Sequence, residues 1–196
     1  MHDIFDLAQK DDIDIEGKDF LNEEIYLEYS KISVSKCNFK NCKCMNSKLN
    51  HSFFSDVTFA NCDFSNTDFS DCSFVDVKFL DCKFVGCKFF NSSQRRILIE
   101  NCNFAYSNYD GSNLKKVDFN SSKLDYLVCS MCELEKVNFK DCSLLLSNFA
   151  GTKLCGIDFR SCMIDGIIVK IEDIKGMIVN ELQALNLASL LELDIR

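Results

Sequence analysis

Residues 62–71 read Cys62-Asp63-Phe64-Ser65-Asn66-Thr67-Asp68-Phe69-Ser70-Asp71, a five-residue unit written twice. The same frame, counted in steps of five from Phe39 to Val169, places an apolar residue at every step except Gln94. Phenylalanine fills 14 of these central positions, out of 18 copies in the chain. A period of five fits neither the 3.6-residue repeat of a helix nor the two-residue alternation of a strand. The sequence therefore predicts an internal repeat array.

Cysteine is the second marker of the repeat, with 13 copies in the chain. Ten lie two residues before a central position, Cys44 and Cys129 occupy central positions, and only Cys155 lies outside both classes. One large and one small side chain per unit are therefore predicted to point inward. So many thiols without a secretion signal are typical of a reducing compartment. The spacing Cys129-x-x-Cys132 also suits zinc, but the repeat explains it without a metal.

The 196 residues carry a formal net charge of −8, and residues 1–30, with ten acids and two bases, account for all of it. With no proline and only seven glycines, the chain matches neither a collagen-like sequence nor one with glycine-rich phosphate loops. No apolar stretch approaches the ~20 residues that span a bilayer. The first residues lack the basic and then apolar pattern of a secretory signal. These features predict a cytoplasmic protein without a membrane partner.

The five-residue unit resembles the consensus of the pentapeptide-repeat family, which is a small residue, Asp or Asn, Leu or Phe, and two variable residues. The resemblance covers residues 34–170. It implies an all-β fold, a right-handed quadrilateral β-helix with four units per coil, in which every fourth unit stacks. The predicted organisation is an acidic N-terminal cap over 1–30, the β-helix over 31–179 and a C-terminal module over 180–196. Caps are needed because an open solenoid end exposes apolar core.

The C-terminal module is predicted to contain a helix that begins after Asn180, its N-cap, and a short strand at Leu193-Asp194-Ile195. The helix is apolar nearly all round, which is typical of a helix buried on two sides. One side is expected to cover the last coil and the other to join a second copy, giving a homodimer. The predicted dimerisation residues are Leu182, Leu185, Leu187, Leu190 and Leu191.

The C-terminal module also narrows the resemblance. The helix carries the pair Gln183-Ala184 and follows the Val- and Ile-rich run 167–171, which is predicted to be a strand. The central run 132–139 is a further feature of the same resemblance. In these features the chain resembles the Qnr-type quinolone-resistance proteins. That resemblance implies a cytoplasmic dimer that binds the bacterial type II topoisomerases, DNA gyrase and topoisomerase IV, and protects them from quinolones. It also implies a rod that imitates duplex DNA, with no direct binding of nucleic acid.

DNA mimicry requires carboxylates at regular spacing, because duplex DNA carries one charge per ~1.7 Å of its axis. One local acidic stretch fits, and we predict it as the partner-binding patch: Asp56, Asp63, Asp68, Asp71, Asp76 and Asp81. Against this, residues 31–180 hold 17 acids and 19 bases, so the rod body is not acidic. The alternative is that aspartate is simply the turn residue of the repeat. Both interpretations stay open at this point.

The repeat is interrupted once, at Ser93, Gln94, Arg95 and Arg96. Some Qnr-type proteins carry projecting loops that contact the topoisomerase, and this segment is one candidate for such a loop. The repeat frame is identical before and after it, which favours a degenerate repeat kept within the coil. The two arginines are also predicted to share a side with Lys115, Lys116 and Lys136, as a basic patch or as an ordinary solvated face.

Nothing in the sequence indicates an enzyme or a cofactor. The only histidines, His2 and His51, have no partner for a catalytic triad, and the aspartates follow the spacing of the repeat. The chain is therefore predicted to be a binding protein. The first hypothesis is topoisomerase protection. The alternatives are a pentapeptide-repeat interaction scaffold with a different partner, an immunity protein against a different gyrase poison, or a passive spacer.

Overall fold

The computed structural model describes residues 2–11, 13–24 and 26–191. Its strands form a right-handed β-solenoid with four sides and a small C-terminal helix. The elements in chain order are α1 (His2–Asp11), β1 (Ile15–Glu16), β2 (Asp19–Leu21), β3 (Ser33–Ser35), β4 (Asn38–Lys40), β5 (Phe53–Ser55), β6 (Thr58–Ala60), β7 (Ser73–Val75), β8 (Lys78–Leu80), β9 (Ser93–Glu100), β10 (Asn113–Asn120), β11 (Glu133–Lys140), α2 (Glu181–Ala188) and a 3₁₀ turn (Ser189–Leu191).

Parallel pairing between residues 20 apart builds the four sides. On the first side Phe39 pairs with Phe59, and Phe59 with Phe79. On the fourth side Phe54 pairs with Phe74. The second and third sides contain only single bridges, such as Lys43 to Asp63 and Lys48 to Asp68. The predicted stacking of every fourth unit is therefore confirmed, and a residue's position in the coil follows from its number.

Phenylalanine fills the core of residues 54–89 as stacked rings. Phe54 lies 5.0 Å from Phe74 between ring centroids with the planes 8° apart, and Phe69 lies 5.2 Å from Phe89 with the planes 13° apart. Twelve of the 13 cysteines are buried free thiols, and Cys155 is exposed, as the repeat predicts. Burial raises the pKa of the Cys72 thiol to about 12, which makes it an unreactive core side chain.

The chain turns each corner at the residue two places after a central position. This residue has a positive φ along most of the rod, for example 60° at Asn66 and 69° at Gly86. Asn, Asp and Gly tolerate this left-handed conformation better than other residues do. At Asn66 the turn is closed by the Thr67 amide, which donates to the Phe64 carbonyl at 3.0 Å. The polar residues of the repeat are thus explained by backbone geometry.

The solenoid begins earlier than the periodic sequence suggests, because residues 15–30 already form most of a coil. Ile15 pairs with Val34 and Phe20 with Phe39, at a separation of 19 residues, whereas Glu28 pairs with Lys48 at 20. One residue fewer in this first coil shifts its frame, so its repeat is hidden in the sequence. The helix α1 covers the open end and buries Phe5.

The last coil is covered by α2. Asn180 and Gln183 form a capping box, in which the Asn180 side chain accepts from the Gln183 amide and the Gln183 side chain accepts from the Asn180 amide. The predicted N-cap is therefore confirmed. The apolar run 167–171 contributes one bridge, at Ile168, and no regular strand. The predicted strand Leu193-Asp194-Ile195 lies outside the described residues.

Candidate partner-binding surfaces

The six aspartates of the predicted acidic patch lie within two successive coils but do not share one face. Only Asp56 and Asp76 stack, at the corner between the fourth and first sides. Asp81 lies at the next corner, Asp63 on the second side and Asp68 on the third, and Asp71 follows at the corner between the third and fourth sides. The carboxylates therefore surround the rod. Their role in partner binding stays a prediction.

Each aspartate also has a local structural role. The corner residues Asp56, Asp71, Asp76 and Asp81 have φ between 52° and 58°. Asp63 accepts bonds from the Ser65 amide at 3.0 Å and the Ser65 hydroxyl at 2.6 Å, and Asp68 accepts the same two bonds from Ser70. These are the Asx turns that favour aspartate in loops. The turn interpretation therefore accounts for the presence of all six residues.

Two of these carboxylates have a basic partner within the chain. Arg96 donates to both carboxylate oxygens of Asp76, and this hydrogen bonding lowers the pKa of Asp76. Lys83 lies 4.0 Å from Asp63. The field of the acidic stretch is consequently weaker than its count of aspartates suggests.

Charges alternate along the second and third sides. The second side carries the column Glu24, Lys43, Asp63 and Lys83, and the third side carries the column Glu28, Lys48, Asp68 and Lys88. Close ion pairs in these columns join Lys43 to Glu24 at 3.4 Å and Lys48 to Glu28 at 2.6 Å. The acidic residues of the N-terminal segment thus pair with the first lysines of the regular repeats.

The interruption at Gln94 is a degenerate repeat and not a loop. Ser93, Gln94, Arg95 and Arg96 all lie in β9, which runs without a break across the fourth and first sides. Gln94 takes the central position between Phe74 and Leu114 and is buried. Its Nε2 donates to the Tyr109 hydroxyl at 3.4 Å, and its Oε1 has no hydrogen-bond partner.

The predicted basic patch forms one continuous corner. Arg95 pairs in register with Lys115, and Arg96, Lys116 and Lys136 follow at the corner between the fourth and first sides with φ of 57°, 56° and 56°. Lys115 lies 2.5 Å from Glu135. The structure therefore places all five cations together. We call this set of residues, Arg95, Arg96, Lys115, Lys116 and Lys136, the cationic corner.

An exposed apolar column lies on the diagonally opposite corner, between the second and third sides. It consists of Tyr106, Tyr126 and Leu146, all at corner positions with positive φ. The two tyrosine rings stack 4.7 Å apart with planes 8° apart, and they are 61% and 44% exposed. The repeat pattern in the sequence did not by itself single out this column. The available signal was the use of large apolar residues at positions where earlier repeats have Asn or Gly.

Comparison with protein families assigns the architecture. A family model described as a pentapeptide repeat region matches residues 32–107 and 95–168, which together make up more than half of the chain. The chain belongs to the pentapeptide-repeat family. No curated protein matches it in sequence.

Solved pentapeptide-repeat structures are similar to the chain over most of its length. Full-length QnrB1, described as a plasmid-mediated fluoroquinolone resistance protein, is 16% identical, with 92% of this chain and 98% of QnrB1 covered and a TM-score of 0.40. HetL, from the cyanobacterium Nostoc sp. strain PCC 7120 and involved in heterocyst differentiation regulation, is 10% identical, with 82% and 88% covered and a TM-score of 0.41.

The C-terminal end of this pentapeptide-repeat rod presents two kinds of leucine. Leu187 and Leu190 pack against the core, whereas Leu182 and Leu185 are 68% and 60% exposed. An apolar cleft of about 270 Å³ lies between α2 and the last turns of the chain, and it includes Leu191. The structure thus divides the five predicted dimerisation residues into a core-facing set and an outward set. Their role in dimerisation stays a prediction.

Residues 2–11, 13–24 and 26–191 contain neither a cluster suited to a metal ion nor a helix suited to a membrane. In this part of the chain no three His, Cys, Asp or Glu side chains come together as a potential metal site. None of the described helices is long and apolar enough to cross a membrane. The features that distinguish this surface are therefore its charges and its apolar columns.

Proposed function

We propose that this pentapeptide-repeat protein binds a bacterial type II topoisomerase, DNA gyrase or topoisomerase IV, and protects it from quinolones. The observation that carries the proposal is the construction of the C-terminal module around Gln183 of the Gln183-Ala184 pair. The Gln183 Nε2 donates to the Phe159 and Cys162 carbonyls, both at 2.8 Å, while its Oε1 caps the helix at Asn180. This residue therefore joins the helix to the rod, at the position where the sequence resembles the Qnr-type proteins.

The proposed mode of action is occupation of a surface that normally receives DNA. A rod whose coils are joined by backbone hydrogen bonds on every side, such as Cys44 N to Asp63 O at 2.8 Å, has little conformational freedom to lose on binding. In this proposal the negative charge comes from carboxylates that surround the rod in two successive coils, such as Asp56 and Asp68, and not from one acidic face. In this proposal the protein has no catalytic role of its own and acts as a cytoplasmic dimer that destabilises the drug-trapped cleavage complex.

The direct test is supercoiling by purified gyrase in the presence of ciprofloxacin, with this protein titrated in. We expect recovery of supercoiling at low protein concentration. Absence of both rescue at low concentration and inhibition at high concentration would contradict the proposal.

The acidic stretch is tested in the same assay with the double variant D68N/D71N. Asparagine keeps an acceptor for the Asx turn at Asp68 and tolerates the left-handed backbone at Asp71, so the fold is expected to be unchanged. Loss of rescue would assign the contact to charge at these positions. D118N on the first side is the matched control, since Asp118 is also exposed and accepts an amide, from Asn138 at 2.7 Å.

A second candidate is an interaction scaffold or immunity protein with a different partner. The observation that favours it is the column of Tyr106, Tyr126 and Leu146, because exposed aromatic residues are typical of protein interfaces rather than of a DNA-like surface. Recovery of a specific partner other than topoisomerase, lost in the Tyr126→Asn variant, would support this candidate. Rescue of gyrase that survives Tyr126→Asn would argue against a role of this column in protection.

A further inference from the structure

The corner between the fourth and first sides contains three stacked cations. Its column reads Lys36, Asp56, Asp76, Arg96, Lys116 and Lys136 in successive coils. Successive coils are separated by ~4.8 Å. The last three members are all positive, with no acid between them. Like charges therefore lie next to one another in successive coils and repel.

This arrangement departs from the rule followed elsewhere on the rod. The columns of the second and third sides alternate in sign, from Glu24 to Lys83 and from Glu28 to Lys88. Alternation is the arrangement that stabilises stacked charges, whereas like charges opposite one another are destabilising. The chain therefore contains both arrangements, and within the described residues only the cationic corner stacks three charges of one sign.

The cations also occupy backbone positions that do not suit them. Arg96, Lys116 and Lys136 have positive φ, a conformation disfavoured for residues other than Gly, Asn and Asp. The corners from residue 41 to residue 86 contain only Asn, Asp, Gly and one His. Electrostatic and conformational strain thus coincide at the same residues, and coincident strain of this kind is typical of functional positions.

Ion pairs within the chain neutralise only part of the positive charge of the cationic corner. Arg96 is paired with Asp76, and Lys115 with Glu135. Within the described residues, Arg95, Lys116 and Lys136 have no acidic group within ion-pair distance of 4.0 Å. Five cations therefore face outward with two acids between them, and a positive surface remains for an external anion.

We propose that the cationic corner binds a short acidic segment of a partner protein. The stacked run from Arg96 to Lys136 covers only two coil steps, ~10 Å, which matches about three carboxylates. Asp56 continues the same corner on one side and Glu133 lies beside it on the other. A duplex nucleic acid extending past the run would meet these acids, whereas a short acidic segment would not.

The test is an NMR titration of the ¹⁵N-labelled full chain with two separate probes, a hexaglutamate peptide and a 12-base-pair DNA duplex. We expect the peptide to shift the amides of residues 95–96, 115–116 and 136, and the shifts to vanish at 0.5 M salt because exposed ion pairs are screened. The DNA duplex is expected to bind more weakly. Tighter binding of the duplex, or peptide shifts located elsewhere, would overturn the proposal.

The variant Lys116→Glu separates a binding role from a structural one. It converts the stack to alternating sign, so we expect the midpoint of thermal unfolding to rise by about 2–4 °C and peptide affinity to fall about tenfold or more. A binding residue is expected to show this opposition between stability and function. A lower unfolding midpoint would contradict the assignment of strain to this column.

The matched control is Lys88→Glu, which makes the same change in net charge at an exposed lysine on the third side. We expect the peptide affinity of this variant to stay within about twofold of the unmodified chain, since one remote charge is screened. An equal loss in Lys88→Glu would mean that net charge alone drives binding and would overturn the site. Lys116 lies at a different corner from Asp71 and on neither the second nor the third side, so the gyrase assay and this titration fail independently.

Discussion

The two halves of the rod follow the same repeat but fill it differently. From residue 54 to residue 89 every central position is phenylalanine, and neighbouring rings stack or meet edge to face. From residue 94 to residue 154 the fourth side instead carries Gln94, Leu114, Leu134 and Leu154. The surfaces differ in parallel. Asn, Asp and Gly predominate at the early corners, whereas Arg, Lys, Tyr, Leu and Met occupy many of the later ones.

The difference indicates that the two halves of one continuous fold have different roles. The early half follows the local preferences of the repeat at most positions, with an aromatic core, turn residues at the corners and alternating charges along the second and third sides. The later half accepts a polar residue in its core and strained side chains at its corners. Natural proteins retain such departures at functional positions. We therefore expect stability to be concentrated in the early half and recognition in the later half.

The largest expected effect is loss of a central ring in the early half. Phe69 lies within 6.2 Å, between ring centroids, of five other rings. Phe69→Ala is therefore expected to lower the free energy of unfolding by about 3–5 kcal/mol. Leu124→Ala, at a buried central position of the later half, is the comparison and is expected at the lower end of about 2–5 kcal/mol. Urea denaturation followed by circular dichroism measures both.

The control for side-chain size is Phe53→Ala, because Phe53 lies outside the core and is exposed. Its free energy of unfolding is expected to change by less than about 0.5 kcal/mol. If Leu124→Ala is as damaging as Phe69→Ala, or more so, the proposed concentration of stability in the early half is wrong.

The period of five allowed the inward residues to be predicted from sequence, and the resemblance to the pentapeptide-repeat family implied the 20-residue coil and its register. Each central residue reports the same geometry, so one deviation such as Gln94 does not disturb the frame. The first coil was missed because it is one residue short, which breaks the count before Phe39 although Phe20 pairs there. The residues of the acidic stretch are adjacent in sequence but point to different sides, and their role in partner binding stays a prediction. The exposure of Tyr106 became visible only in the structure, which places this residue at a corner of the coil.

An intermediate effect is expected where the two halves meet, at the buried pair of Gln94 and Tyr109. Gln94 Oε1 is buried without a hydrogen-bond partner, and an unsatisfied buried polar atom costs about 1–3 kcal/mol. The double variant Q94L/Y109F replaces both polar groups with apolar ones and continues the column between Phe74 and Leu114. We expect the free energy of unfolding to rise by about 1–3 kcal/mol in urea denaturation.

The single variants make this prediction specific. Tyr109→Phe alone leaves the Gln94 amide without its partner and is expected to destabilise the protein by about 1 kcal/mol. If the double variant is also destabilised, the pair stabilises the junction between the halves. The interpretation of Gln94 as a destabilising break in the apolar core is then wrong.

The smallest effect on stability, but a clear effect on assembly, is expected at the end of the later half. Leu182 and Leu185 are exposed on α2, so the double variant L182E/L185E removes apolar surface that the single chain does not bury. If these residues join two copies, the variant should be a monomer of 22.4 kDa by light scattering while the unmodified chain is a dimer. Its circular dichroism spectrum should be unchanged.

The core-facing leucine of the same helix provides the control. Leu187 packs against the core, so Leu187→Glu buries an unpaired charge or detaches α2 from the last coil. We expect this variant to lose helix signal and to unfold at lower temperature, because the apolar end of the solenoid is then uncovered. A dimer that persists in L182E/L185E would move the interface away from the outward leucines. The apolar column at Tyr106 and Tyr126 would then be the next surface to test.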